Sequence, residues 1–399
     1  ELPTKGEIEL LESLFGPELG ASLRGLRPLK DKIIENALDV LNLPRSLKAS
    51  WDLSAPLRQG LWLQVSNTPR SLAAGRDMVK TAFSEKFGQS LDDFYRGSIE
   101  KNIAPDADWI FSQNHKLYYA PYKFGQGSLT AREEAFMSRI AGKIPGVRVS
   151  ERAYVTYLNK FRQDTFKYYA DRLRKQGAEG WEFDELAKFI NYATGRGDLG
   201  KLSTASPFLS TVLFSPRMQA ATLELPFMLA NKSPAVRKIA AENIFGTVAA
   251  GAGLLTLAGL AGARVELDPR SSDFAKIRIG NTRLDIWAGK QQYTVLLGRL
   301  LTGKGKSTTT GELYNIDANS IQGNKLDLLV HFTRGKLAPG PGLLTDFASG
   351  EDFLGNPMTK DRAGSIALNA VVPMSPYTTV ETIKQEGPLV GTALSIPGY

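Results

Sequence analysis

Residues 241–266 read AENIFGTVAAGAGLLTLAGLAGARVE, and the 21 residues between Glu242 and Arg264 carry no charge. A helix of that length measures about 32 Å at about 1.5 Å per residue, close to the thickness of the hydrocarbon core of a bilayer. The stretch is compatible with a membrane span, with a helix buried in a protein core, and with a segment that alternates between the two. These alternatives imply different functions for the protein.

The composition of the stretch favours the buried helix over a permanent span. Its strongly apolar residues are Ile244, Phe245, Val248, Leu254, Leu255, Leu257 and Leu260. Five glycines dilute them, and each weakens an isolated helix by about 1 kcal/mol relative to alanine. Small residues recur at three- and four-residue spacing, which allows close packing against another helix. These small residues are Gly246, Ala249, Ala250 and Gly253.

The longest helical pattern in the chain lies at residues 150–177, SERAYVTYLNKFRQDTFKYYADRLRKQG. Ser150 is the expected N-cap and Gly177 the expected C-terminal glycine. One stripe carries Tyr154, Leu158, Phe161, Thr165, Tyr168, Tyr169 and Leu173. The opposite face carries Arg152, Lys160, Arg162, Lys167 and Arg172. We expect the stripe to be core and the basic face to be solvated, with nucleic-acid binding as the alternative.

These patterns predict a mainly α protein built from multi-helix modules. Apolar residues at helical spacing also occur over residues 29–41. The alternation in AKIRIGNTRLDIW predicts a small β-hairpin near 276–287. The chain from residue 336 is rich in proline and glycine, so we expect an irregular, extended tail there.

We divide the chain into four segments on these grounds. Residues 1–127 form an expected N-terminal helical module, and 128–235 a central helical module. Residues 236–335 contain the apolar helix, the hairpin and an amphipathic helix, and 336–399 form the tail.

The composition limits the classes of partner and of chemistry. The 399 residues include 49 Lys and Arg against 41 Asp and Glu, a net charge of +8, which favours anionic partners. No cysteine is present, which excludes disulfides, cysteine-ligated zinc and a thiol nucleophile. Gly305-Lys306-Ser307 resembles the end of a P-loop, but Leu300 stands where that motif needs glycine, so we expect a flexible basic loop. His115 and His331 lie in no metal-binding spacing. We therefore expect no enzyme activity, no catalytic residues, no cofactor and no metal.

Seven phrases occur in one order along the chain and carry a family resemblance. They are ALDVLNLPRSLKASWDLSAPLRQGLWL, AFSEKF, SERAYVTYLNKFR, FINYATGRGDLG, LFSPRM, RIGNTRLDIWAGKQQYTVLLGRLLTGK and KLAPGPGLLTDFASGEDFLGNPMT. Together they resemble the C-terminal region of the large polyvalent proteins of tailed bacteriophages, over roughly residues 38–388. Locally, Ser215-Pro216 is expected to start a helix and Trp287 to close the hairpin against the core.

The resemblance implies a virion-internal protein, packaged in the head or near the portal and delivered into the host with the genome. It also implies that Glu1 is an internal position of a longer precursor, consistent with the missing initiator Met. The expected partners are other virion proteins of the portal or core and further copies of the chain. After genome release the protein would be found at the host cell envelope or in the cytoplasm.

On this interpretation, the apolar stretch is a conditional segment, sequestered against protein in the virion and available to the host membrane after release. Lys232, Arg237 and Lys238 on one flank would contact anionic lipid headgroups. The alternative function is a soluble scaffold inside the capsid that binds DNA non-specifically and has no membrane role. A cell-wall hydrolase is a third hypothesis, which rests only on the enzymatic modules that the family carries upstream.

Overall fold

A computed structural model describes residues 58–120, 145–280, 282–317, 323–353 and 355–371. Within these residues the fold is mainly α-helical with two small antiparallel sheets, as the sequence predicts. The helical pattern at residues 29–41 and the tail from 372 onward lie outside the described residues.

In the described residues, nine helices precede the first strand. They are α1 Leu61–Gln64, α2 Thr68–Phe83, α3 Glu85–Arg96, α4 Ala107–Asn114, α5 Pro145–Arg174, α6 Gly180–Ala193, α7 Ser206–Val212, α8 Pro216–Glu224 and α9 Pro234–Leu260. Two 3₁₀ segments, Gly200–Ala205 and Leu225–Ala230, lie before α7 and after α8. The remaining elements are β1 Arg264–Val265, β2 Ile277–Ile279, β3 Thr282–Leu284, α10 Gln291–Thr302, β4 Lys304–Lys306, β5 Leu313–Asn315, α11 Lys325–Arg334, α12 Pro339–Ser349 and α13 Lys360–Val371.

The long helix α5 ends as predicted but begins earlier than predicted. Gly177 adopts φ +73°, and the amide of Ala178 donates to the carbonyl of Leu173 (3.2 Å), which closes the helix in a Schellman motif. Ser150 is not the N-cap, because α5 already begins at Pro145. Ser150 lies in the second turn of the helix, and its side chain is buried. Proline needs no amide donor at the first helical position, so the helix can start there.

The basic face of α5 is not simply solvated. Arg162 is 0% exposed, and its guanidinium donates to the hydroxyl (2.8 Å) and the carbonyl (3.1 Å) of Thr194. Lys160 lies between the carboxylates of Asp77 (3.7 Å) and Asp164 (3.0 Å). The expectation of a solvent-exposed face is therefore wrong at these positions, because helices α2 and α6 cover it and supply polar partners.

The main core is one apolar cluster built chiefly from α2, α5, α6 and the first half of α9. Its largest buried side chains include Tyr157, Phe161, Phe166, Phe189 and Leu186. Residues from the expected N-terminal module, the central module and the segment 236–335 all contribute to this cluster. The division into four segments stays a prediction.

The first sheet has the order β1-β2-β3 and contains the expected hairpin. In register, Val265 faces Ile277 and Ile277 faces Leu284, so these residues share one side of the sheet. That side packs on Leu255 of α9 in a second cluster, the small core, together with Ala275 and Trp287. The indole N–H of Trp287 donates to the carbonyl of Ala275 (3.0 Å), so Trp287 does close the hairpin as expected.

The segment around Lys306 forms a strand instead of the expected flexible loop. β4 pairs with β5, with Gly305 opposite Tyr314. A side chain at Gly305 would overlap the Tyr314 ring, so glycine allows this close pairing. A strand that follows α10 is the reverse of the strand-then-helix order of a P-loop.

The described part of the C-terminal tail is helical, so the expectation of an irregular, extended tail is wrong for residues 339–349 and 360–371. Pro339 stands at the start of α12, where its missing amide costs no helical hydrogen bond, and Gly350 ends that helix with φ +71°. A backbone hydrogen bond connects the tail to α7: the amide of Ala338 donates to the carbonyl of Val212 (2.8 Å).

A helix with an anchored half and an exposed half

The candidate site is α9, which contains the uncharged stretch. The helix begins at Pro234, where the Ser233 hydroxyl accepts the amide of Val236 (3.2 Å), and Gly262 closes its other end with φ +92°. In the part of the chain that the structure describes, α9 is the one helix long and apolar enough to cross a membrane by length and composition. The most apolar stretch of 18 residues in α9 has a mean hydropathy of 1.5, but only 22% of that stretch is buried.

Residues 234–247 form the anchored half, which belongs to the main core. Val236, Ile239, Ala240 and Ile244 are buried there. Asn243 is buried as well and forms a polar network with Tyr169 of α5 and with Asn67, the residue before α2.

All the hydrogen bonds of this network join groups buried in the main core. The Asn243 amide donates to the hydroxyl of Tyr169 (2.9 Å) and to the carbonyl of Ile239 (2.8 Å). Its side-chain oxygen accepts from the amide of Asn67 (3.0 Å). Because unpaired polar groups are costly inside a core, this arrangement fixes the rotation and depth of α9 against α2 and α5.

Two further contacts hold the anchored half. Arg172 makes a bidentate pair with Glu242, with both N···O distances at 2.8 Å, and this pair lowers the pKa of the Glu242 carboxyl. The hydroxyl of Thr247 donates to the carbonyls of Leu61 (3.4 Å) and Trp62 (3.3 Å) at the start of the chain's described part. Within the described ranges, hydrogen bonds from side chains of α9 to other elements therefore end at residue 247.

Residues 248–260 form the exposed half. Leu257 is 64% exposed and Leu260 is 81% exposed, and Val248 and Leu254 are also exposed. Phe245 belongs to the anchored half by position, but its side chain points to solvent. The exposed half carries no charged side chain and one polar side chain, Thr256, so its surface consists mostly of apolar and small residues.

One side of the exposed half rests on the small core. Leu255 is 7% exposed and packs among Ala275 and Ile277. Gly251 faces the indole of Trp287 so closely that a Cβ at this position would overlap the ring. Three of the four small residues expected to make close contacts do not make them, since a Cβ on Gly253 would meet nothing within 4 Å and Ala249 and Ala250 are exposed. A Cβ on the fourth, Gly246, would lie at ordinary contact distance from the Ser66 hydroxyl (3.5 Å). The close approach therefore occurs at Gly251, through an aromatic ring of the hairpin.

The structure divides the seven predicted residues into two groups. Ile244 and Leu255 are buried, whereas Phe245, Val248, Leu254, Leu257 and Leu260 are exposed. The expectation of a helix buried along its length is wrong for residues 248–260 apart from Leu255, because among the described residues the three-stranded sheet covers them on one side only. A role of these residues in a membrane stays a prediction.

The three predicted basic residues lie near the anchored end of α9. Lys232 pairs with Glu185 (3.3 Å) and lies over the ring of Trp181. Arg237 and Lys238 are exposed, but at about 1.5 Å per residue they are about 33 Å from Leu260 along the helix. The apolar end has its own cations, Arg264 and Arg278 of the sheet, which share one face by register.

Other candidate groups hold structural positions. His115 contacts the carboxylate of Asp184 (2.7 Å), and His331 stacks on Phe353. Lys306 pairs with Glu266 (2.6 Å). Within the described ranges, no group of three or more His, Asp or Glu side chains is placed to hold a metal ion.

Comparison with protein-family models, with curated proteins and with solved structures found no match. The resemblance to phage proteins therefore rests on the sequence phrases alone.

Proposed function

We propose that this protein is a bacteriophage virion-internal structural and ejection protein, without enzyme activity of its own, that belongs to a longer precursor. It assembles with portal or core proteins and with copies of itself, and helps to carry the genome across the host envelope. The ordered sequence phrases support the phage assignment. The exposed half of α9 is the observation that supports a role at a membrane.

We expect an exposed apolar surface of this kind to contact another molecule. Leu254, Leu257 and Leu260 project from a helix whose other half is fixed by buried polar contacts. Water-exposed apolar surfaces of this extent mark contact with protein or lipid. In the stored virion a neighbouring protein covers the surface, and after release the surface enters the host membrane.

The anchored half limits how α9 enters a bilayer. The exposed half has 13 residues, which measure about 20 Å as a helix and fall short of the roughly 30 Å hydrocarbon core. A full span would have to pull Asn243 away from Asn67 and Tyr169. Insertion of residues 248–260 into one leaflet keeps the main core intact, and we favour that mode over a complete crossing.

The DNA-scaffold alternative relies on the net charge of +8. On the most basic helix face, that of α5, however, the cations form ion pairs with carboxylates of the protein itself. Arg152 pairs with Glu85 (3.2 Å), Lys167 with Asp108, and Arg172 with Glu242. These ion pairs leave α5 poorly suited to a row of phosphate contacts.

Vesicle flotation of the purified chain tests the proposal. Wild type should float with vesicles of phosphatidylcholine and phosphatidylglycerol and should release an entrapped dye. The Leu257→Asp/Leu260→Asp variant should lose both activities, because a charged side chain at these positions is expensive in lipid. Both leucines are exposed, so the variant should keep the wild-type circular dichroism spectrum.

A matched control separates this surface from general stickiness. The Leu72→Asp/Leu223→Asp variant changes two exposed leucines on α2 and α8 and should float like wild type. Equal flotation of all three proteins, or of none, would contradict the membrane role. DNA binding that weakens by orders of magnitude between about 50 and about 200 mM salt would instead favour the scaffold.

A further inference from the structure

A polar cleft of about 260 Å³ lies on the side of the β1-β2-β3 sheet that faces away from α9. One wall is the outer face of the β1-β2-β3 sheet, and the other is the turn between β4 and β5, residues 307–311. The side chains that matter most are Arg264, Lys276, Arg278 and Arg283 on the sheet wall and Ser307 and Thr309 on the turn.

Three arginines stand side by side on the sheet wall. The register places Arg264 opposite Arg278 and Arg278 opposite Arg283. Directly opposite residues have Cβ atoms about 5 Å apart on one face, and like charges in that position destabilise a sheet. Arg283 pairs with Asp273 (2.8 Å), but Arg264 and Lys276 have no ion-pair partner among the described residues. The row therefore creates a concentration of positive charge that an anion would relieve.

The carboxylates in the cleft do not cancel this charge. Four cations line the cleft against two acids, Glu266 and Asp273. Glu266 is paired with Lys306 (2.6 Å), a lysine that does not line the cleft. Asp273 is paired with Arg283, one of the four cations. The unpaired excess is positive and lies between Arg264, Lys276 and Arg278.

The opposite wall supplies hydroxyl donors. The Ser307 oxygen accepts the backbone amides of Thr309 (3.3 Å) and Thr310 (3.1 Å), which leaves its hydrogen able to donate to a ligand. The hydroxyls of Thr308 and Thr309 have no hydrogen-bond partner within the part of the chain that the structure describes. Guanidinium groups facing hydroxyls are a donor set suited to the oxygens of a phosphate group.

We propose that this cleft binds a phosphate group, and that its source is the headgroup of an anionic lipid. The lipid assignment rests on the proposed membrane role. It is carried by position, since only Ala261, Gly262 and Ala263 separate the exposed Leu260 from Arg264. A leaflet that takes up Leu257 and Leu260 places its headgroup layer at the sheet, where the arginine row can contact it.

The first test compares two double variants that remove equal charge. Arg264→Ala/Arg278→Ala removes two of the four cations on the sheet wall. Arg237→Ala/Lys238→Ala removes the two exposed cations at the anchored end that the sequence predicts as headgroup contacts, so the comparison sets that prediction against the cleft. In flotation with vesicles containing phosphatidylglycerol, the cleft variant should bind about 30-fold more weakly than wild type. The control variant should change binding less than about 2-fold, because its cations lie far from the inserted end. Equal losses in the two variants would overturn the proposal.

The second test uses inorganic phosphate without a membrane. Phosphate should raise the melting temperature of wild type above that in chloride at equal ionic strength, and should not do so for Arg264→Ala/Arg278→Ala. No phosphate effect on wild type would overturn the cleft. A phosphate effect with no difference between the two double variants on vesicles would overturn the lipid headgroup as the source.

The two proposals fail in different ways. Vesicle binding that is lost in Leu257→Asp/Leu260→Asp but unchanged in the cleft variant would overturn the cleft and leave the membrane role standing. A cleft that responds to inorganic phosphate in a protein that never binds vesicles would overturn the membrane role and, with it, the lipid assignment.

Discussion

The two halves of α9 are covered in the opposite order to their hydropathy. The anchored half contains Arg237, Lys238, Glu242, Asn243 and Thr247, yet it lies against the main core. The exposed half contains no charged residue, yet most of it faces solvent. A single continuous helix therefore has its more polar part inside and its more apolar part outside.

The comparison shows that partners, not apolar content, decide which part of this helix is buried. The anchored half has a matching polar partner for each buried polar group, as with Asn243 and Tyr169. Among the residues that the structure describes, the exposed half packs against the small core alone, on one side. An apolar surface that no described residue covers is the kind of surface that binds another molecule, which is the basis of the proposed function.

Alkaline pH should destabilise the fold through the buried tyrosines of the main core. Burial raises the pKa of Tyr157 to about 12 and also raises the pKa of Tyr169, both from 10.0. Below pH 10 the neutral hydroxyls contribute their full stability. Above it the unfolded chain releases protons that the folded core keeps, so the free energy of unfolding falls by several kcal/mol toward pH 12. Urea unfolding followed by circular dichroism at pH 10.5 and 11.5 measures this.

The pH values 10.5 and 11.5 lie above the range in which Lys290 would stabilise the protein as pH rises. Burial lowers the pKa of Lys290 from 10.5 to about 8, so stability gains from this lysine as pH rises from 8 to 10.5 and not above. Tyr157→Phe should flatten the fall above pH 10.5, since it removes one of the responsible protons. A pH-independent free energy of unfolding over this interval would show that the tyrosines are not held neutral by the core.

Removing apolar side chains should separate the halves clearly. Ile239 is 1% exposed in the main core, and Ile239→Ala should lower the free energy of unfolding by about 3 kcal/mol, since it leaves a cavity. Leu257→Ala, in the exposed half, should change it by less than about 0.5 kcal/mol. Urea unfolding of the two variants measures the difference. Similar losses would mean that residues 248–260 are covered in the isolated chain.

Replacing a polar residue should break the link between hydropathy and stability. Asn243→Leu makes the uncharged stretch more apolar, but it leaves the Asn67 amide and the Tyr169 hydroxyl each short of a partner. We expect a loss of about 2 kcal/mol in the free energy of unfolding. Thr256→Leu is the matched control on the exposed half and should change stability by less than about 0.5 kcal/mol. An unchanged stability in Asn243→Leu would contradict the anchoring role of the network.

The sequence predicts local features of this fold well, because their causes are local. Ser215-Pro216 begins α8, Gly177 ends α5, and the hairpin forms at 277–284. Proline, left-handed glycine and period-two alternation act within a few residues, so they can be recognised without the tertiary structure.

The features that sequence reasoning missed depend on distant partners. Arg162 is buried because Thr194, 32 residues away, accepts its hydrogen bonds. The boundary at residue 247 depends on Asn67 and on the Leu61 carbonyl, about 180 residues away. The arginine row depends on strand register, although the alternation around Arg278 and Arg283 already places these two residues on one face of a hairpin.

Two glycines of the exposed half give the finest test of how it is covered. Both lie inside α9, two residues apart, and alanine is the better helix former by about 1 kcal/mol. Gly253 has open space around it, so Gly253→Ala should raise the free energy of unfolding by up to about 1 kcal/mol. Gly251→Ala pushes a methyl group into the Trp287 ring, and the resulting overpacking should turn the gain into a net loss of about 1 kcal/mol. If contact with the indole is the cause, Gly251→Ala made in a Trp287→Ala background should stabilise the protein as Gly253→Ala does. A loss that persists without Trp287 would mean that something other than the hairpin limits the space at Gly251.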